Sequence, residues 1–346
     1  MRPVYLNNGT SIRRFHVFLF ADEPARAPHI RALHIDLRQP TPAQNHDEDC
    51  SLLVHILASC KHLEHLTIAF HQFTLPIVAE PSFLHTVNAI SSLQSLSVRS
   101  TSYDGISLLP SFRIPLRSLS IDANNVTYSP RYPANLKEFL PHAVVLTLET
   151  LELDRFAVDS PDTQVIGNHL MPLTFTMAPY TAVRSLSVAS FRGRPLLDHL
   201  QHLFPALEGT LDIGWLNFWT FENRHDDIRT TNQRIQDGDG GRAWRKLDRV
   251  VCEAPAFYVL ALRCPIRLAM IYCGPVEHYH YVAVALRENP VPRLKLTLYH
   301  QPGMFAGLFS TELAGRLTHL TLCVLYSKNY EYSPPGQSKN ATPQFR

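Results

Sequence analysis

The stretches CKHLEHLTIAF (60–70) and SSLQSLSVRS (91–100) carry one phrase, apolar-x-x-apolar-x-apolar, as Leu63-Leu66-Ile68 and Leu93-Leu96-Val98. Its last two apolar residues alternate at period two, so they face one side of a short strand. The first lies on the approach and enters the same core. Working outward, the phrase returns as Ile30-Leu33-Ile35, Leu116-Leu119-Ile121, Leu148-Leu151-Leu153, Val183-Leu186-Val188 and Leu317-Leu320-Leu322. Weaker copies are Leu247-Val250-Cys252, Leu268-Ile271-Cys273 and Val291-Leu294-Leu296; Leu207-Leu211-Ile213 has one residue more.

Helical patterning fills the gaps. Ser51 is placed to cap a helix with Leu52, Leu53, Ile56 and Leu57, and Pro195 to open one with Leu196, Leu197, Leu200, Leu203 and Phe204. Further helices are expected near 83–90, 257–262, 282–286 and 304–313. Strand-then-helix units repeated in this way predict an α/β solenoid of irregular units with a curved parallel sheet. A doubly wound α/β domain alternates in the same manner and remains the other fold open to this pattern. The shared grammar of the strands favours the solenoid, although the spacing is more ragged than the 20–29 residues of a regular leucine-rich repeat. Residues 1–28 read as a lead-in or cap, 29–325 as the repeat domain, and 326–346 as a disordered tail. The polar run ENRHDDIRTTNQRIQDGDGG (222–241) reads as an excursion from the repeats.

HIRALHIDL (29–37), LRSLSIDANN (116–125) and the two stretches above resemble the leucine-rich-repeat region of fungal F-box-type proteins. The resemblance covers most of 29–325 and rests on repeat grammar; Leu116-Leu119-Ile121-Asn124 alone keeps the asparagine of the standard repeat. It implies a solenoid that catalyses nothing and binds another protein, as a substrate-recognition module of the ubiquitin-ligase receptor type. Proteins of that group place an F-box ahead of the repeats. Residues 1–28 are too short for one and lack its leucine-proline opening, which leaves docking to a cullin-ligase adaptor without its element.

Such repeats bind on the concave face, at positions alternating with the buried leucines. The middle column reads His34, Thr67, Ser97, Ser120, Glu152, Ser187 and Thr321. The next reads Asp36, Ala69, Arg99, Asp122, Asp154, Ala189 and Cys323. Small hydroxyls dominate, and acids gather from Asp122 to Asp154. Asp122, Glu152 and Asp154, with Arg99 beside them, are therefore the expected contact patch for a basic or polar partner. Trp215 and Trp219, flanked by Phe218 and Phe221, form an aromatic cluster that either anchors a partner or fills the core.

The composition narrows the remaining classes. The chain of 346 residues is 45% hydrophobic and 18% charged, with 32 bases against 30 acids. That balance offers no global field for nucleic acid or an anionic membrane. No run of 18 apolar residues occurs and no secretory signal is visible, so an intracellular, cytoplasmic or nuclear protein is expected. Six cysteines without CxxC spacing read as buried free thiols. His62, His65 and His71, His199 with His202, and His278 with His280 match no zinc-ligand spacing, and DGDGG (237–241) fails the calcium-loop pattern, so no metal or cofactor is expected. GxSxG, GxxxxGK[ST] and GxGxxG are all missing; an unrecognised α/β enzyme such as a hydrolase is the alternative.

Overall fold

A computed structural model of the chain describes residues 3–37, 46–70, 74–100, 108–122, 144, 146–157, 179–192, 195–216, 225–238, 243–274, 278–300, 305, 308–309 and 311–326. Twelve strands form one open, all-parallel sheet in strict sequence order. They are β1 (Val4–Leu6), β2 (Ala32–Ile35), β3 (His65–Phe70), β4 (Ser95–Ser100), β5 (Ser118–Asp122) and β6 (Thr150–Ala157), followed by β7 (Ser185–Arg192), β8 (Thr210–Leu216), β9 (Leu247–Glu253), β10 (Ile266–Cys273), β11 (Arg293–Tyr299) and β12 (His319–Leu325). The described helices are α1 (Gly9–Phe20), α2 (Glu23–Arg26), α3 (His46–Ser59), α4 (Leu75–Ala79), α5 (Pro81–Asn88), α6 (Leu197–Leu203), α7 (His225–Asp237), α8 (Ala254–Leu260), α9 (Tyr279–Glu288) and α10 (Thr311–Arg316).

Parallel strands in sequence order, joined by right-handed crossovers, return every connection over the same face of the sheet. Burial follows that rule. Leu33, Leu66, Leu96, Leu119, Leu151, Leu186, Leu211, Val250, Ala269 and Leu294 share one register row and are at most 2% exposed. The residues of the described rows that alternate with them stay half-buried or exposed, apart from Ala69 on β3. One face thus packs on the helix layer, where α1 meets α3, α3 meets α5, and α6 to α10 adjoin in turn. The other face has no helix over it among the described residues.

A backbone spine ties units together just before β3 to β8 and again before β12. The carbonyl of Arg31 accepts the N–H groups of Glu64 and His65 at 2.8 and 3.0 Å, and Glu64 accepts those of Gln94 and Ser95. The same double acceptance continues through Gln94, Arg117, Glu149 and Arg184, and recurs at Pro292. In these units one carbonyl fixes the entry of the next strand, while β9 is entered through two, Glu208 and Gly209. Hydroxyls add a second tie: Ser92, Thr147 and Thr318 donate to the carbonyls of Leu63, Leu116 and Pro292.

Several expectations are corrected here. Residues 225–237 are helix α7, where an excursion was expected. Its composition hides this, because the side chains it buries include His225, Arg229 and Asn232. Wholly buried Asn232 accepts from the Leu197 N–H at 2.9 Å and donates to the carbonyls of Pro195 and Val259, so its amide satisfies backbone on both neighbouring units. The segment 1–28 holds a complete unit, β1 plus α1, that joins the sheet; α1 is started by an Asn8–Ser11 capping box. Helix α3 begins at His46, five residues before Ser51, with Asp47, Glu48 and Asp49 in its first turn. In β10 the inward residues are Ala269 and Ile271, so Leu268 stands on the open side. Alanine in the place of a leucine is what displaces the phrase by two residues.

Candidate functional site

The open face is a lattice of side chains fixed by strand register. Its middle row reads Ser97 on β4, then Ser120, Glu152, Ser187, Asp212, Val251, Met270, Lys295 and Thr321 on the strands that follow. In the next row Arg99 is paired with Asp122, while Tyr272 lies between Glu253 and Thr297, which is followed by Cys323. Small hydroxyls hold the β3–β5 half, as expected. The β9–β11 half turns apolar, with Val251 and Met270 flanked by Lys295.

Of the expected patch, Arg99 and Asp122 sit side by side on β4 and β5, with Glu152 one strand on and one row back. Asp154 belongs to β6 and Trp215 to β8 by backbone, but their side chains lie outside the described residues, as does Trp219 entirely. Asp36 and Ala69, expected to face solvent, are buried at 7% and 1% exposure. Asp36 lies 3.8 Å from the His34 ring.

Two carboxylates absent from the expected patch extend it. Asp212 follows Glu152 across Ser187, whose hydroxyl donates to it at 3.2 Å. Burial raises the Asp212 carboxyl above its usual range; the Ser187 bond opposes that, and Glu152 adds to it. Glu253 ends β9 and precedes α8, yet its side chain does not cap that helix. Burial pushes its carboxyl up to about 7. No hydrogen bond or ion pair among the described residues reaches it. Following the register through the weaker copies is the signal that finds both residues.

Glu253 stands at the edge of a hollow of about 360 Å³, whose lining includes Gly214, Val251, Met270, Tyr272 and Lys295. Gly214 keeps the β8 side low, since a Cβ there would come within 2.6 Å of the Ala189 carbonyl. Tyr272 donates to the Tyr299 hydroxyl at 3.0 Å, and Tyr279 donates to the Tyr299 carbonyl, so β11 and α9 fix the aromatic wall. Cys273 is turned to the core, and burial pushes its thiol up to about 12, which suits packing better than nucleophilic chemistry. A second hollow, of about 540 Å³, adjoins β1 and α1, but Asn8 and Ser11 in its lining already satisfy each other.

The histidines are placed separately. His65 is on β3, His199 and His202 are on α6, and the rings of His278 and His280 lie against Tyr281. His71 lies outside the described residues. Among the described residues no three potential metal ligands converge, and no helix is long and apolar enough to cross a membrane. Asp237 of the DGDGG run pairs with Arg263 through both carboxylate oxygens.

No protein-family model matches the chain, and a search of curated proteins returns no match.

Proposed function

We propose that this chain is a leucine-rich-repeat-like solenoid that binds another protein on its open sheet face and catalyses no reaction. By the resemblance of its repeats, it is related to the substrate-recognition part of F-box-type ubiquitin-ligase receptors. The observation that carries the reading is the strand order. Twelve parallel strands in sequence, with β3 to β8 and β12 each entered through one doubly accepting carbonyl, are what a stack of like units requires. A doubly wound sheet reverses its order at a switch point and covers both faces. Here one face stays open and carries half-exposed polar side chains in register, the form of surface on which a folded partner or extended peptide docks. Asp122, Glu152, Asp212 and Glu253 span five strands, roughly 19 Å, and favour a basic partner.

The test compares proteins recovered on the tagged chain from its own cells with those recovered on two folded variants. Arg99→Glu combined with Glu152→Lys alters the open face, and Arg287→Glu alters the exposed side of α9. The expected outcome is reproducible partners lost with the first variant and kept with the second. Partners retained equally by both would defeat the open-face reading. Recovery of an adaptor and cullin with the wild-type chain would support the receptor assignment, and partners without them would restrict the role to binding.

A further inference from the structure

We propose that the hollow over β8–β11 seats a single basic side chain, lysine or arginine, of the protein that docks on the open face. This deepens the binding reading above and rests on it. Three features of the hollow converge on that occupant.

The floor is apolar where the stem of such a side chain would lie. Val251 and Met270 are adjacent in register, and Gly214 leaves the approach from β8 unobstructed. A long aliphatic stem buries well on such a floor while its charged head continues past it. At the edge stands Glu253, half-buried and without a countercharge among the described residues. A carboxylate so placed has lost part of its water and gained nothing in return, so a cation brought beside it recovers that loss. The partner's chemistry follows from this imbalance.

The remaining groups orient the occupant. Asp212 stands beside the lining, on β8 next to Val251 in the same row. Lys295 lies on β11, two strands and one row from Glu253, roughly 12 Å across the floor. The hollow is thus negative at Glu253 on β9, with Asp212 of β8 just outside it, and positive at Lys295 on β11. A basic head is drawn to Glu253 and Asp212, and Lys295 takes a carboxylate or backbone carbonyl of the same partner segment. Tyr272, between them, offers its ring to the stem. Apolar occupants would leave Glu253 uncompensated, and acidic ones would face two carboxylates to reach one lysine.

The experiment uses immobilised dodecapeptides with randomised flanks and a central residue fixed as lysine, arginine, norleucine or glutamate, probed with the full chain. The lysine and arginine sets are expected to retain at least tenfold more protein than the norleucine set, about 1.4 kcal/mol. Glu253→Gln is expected to abolish that preference while melting as a folded protein. Lys295→Met is expected to keep it and to lose selection for an acidic neighbour. Equal retention of norleucine and lysine sets, or a basic preference that survives Glu253→Gln, overturns the proposal. Ser97→Trp, on the open face away from the hollow, separates the two readings. If it abolishes retention that was indifferent to the central residue, the hollow fails and the open face stands. Retention untouched by Ser97→Trp and indifferent to the central residue, or absent from every set, overturns both.

Discussion

Glu253 and Asn232 show two ways in which this chain buries polar chemistry. Asn232 is wholly buried and fully used, its amide holding backbone groups of two neighbouring units. Glu253 is half-buried and unused by the described residues, and its protonation reports the difference. In the unfolded chain its carboxyl releases a proton near the ordinary glutamate value of 4.5, and in the folded chain near 7. Between those values the native state holds the extra proton, so stability falls as pH rises through that window and levels off above it. Glu253→Gln should therefore leave stability unchanged at pH 4 and raise it at pH 8. The gain is about 1–2 kcal/mol after allowing for solvent screening. Urea unfolding at a series of pH values measures this; a gain independent of pH would remove the burial explanation.

At the level of elements, helix α7 is the instructive case. A loop tolerates proline, whereas a helix interior loses about 3 kcal/mol to it. Arg234→Pro, at an exposed position on α7, should lower the unfolding free energy by an amount of that order, read as a lower urea midpoint, and an unchanged midpoint would restore the excursion. The β-units were legible because they repeat one physical act, the burial of two alternating apolar residues under a helix. α7 was not, since Asn232, Arg229 and His225 take core-facing places that apolar patterning never marks. β10 was misread by two residues because Ala269 occupies a leucine place. The candidate site divides in the same way. Arg99, Asp122 and Glu152 could be placed by counting from strong copies of the phrase. Asp212, Val251, Met270, Lys295 and Glu253 sit on units whose copies are weak or carry an extra residue, and only the parallel register brings them into line. No periodicity in the sequence reports that the Glu253 carboxyl lacks a partner among the described residues.

The whole molecule ends differently at its two edges. β1 is three residues long, and a short edge offers little to an intruding strand. β12 is seven residues long, and its Leu320 and Leu322 are 42% and 39% exposed. Their register partners Leu294 and Leu296 on β11 are 2% and 0% exposed. Leu320→Lys with Leu322→Lys should therefore change stability by no more than about 1 kcal/mol and reduce light scattering on concentration. Leu294→Lys with Leu296→Lys should unfold the chain. Thermal unfolding with light scattering separates the pairs, and loss of the fold in the β12 pair would show that those leucines carry core packing. The spine of shared carbonyls has its own consequence for the shape of the units. It sets the pitch of the stack at one margin and leaves the length of each return free, so first anchors 23 to 35 residues apart fit a single sheet. The molecule works like a bound book whose pages are sewn along one margin and cut to different widths, and residues added to a return widen one page without disturbing the binding.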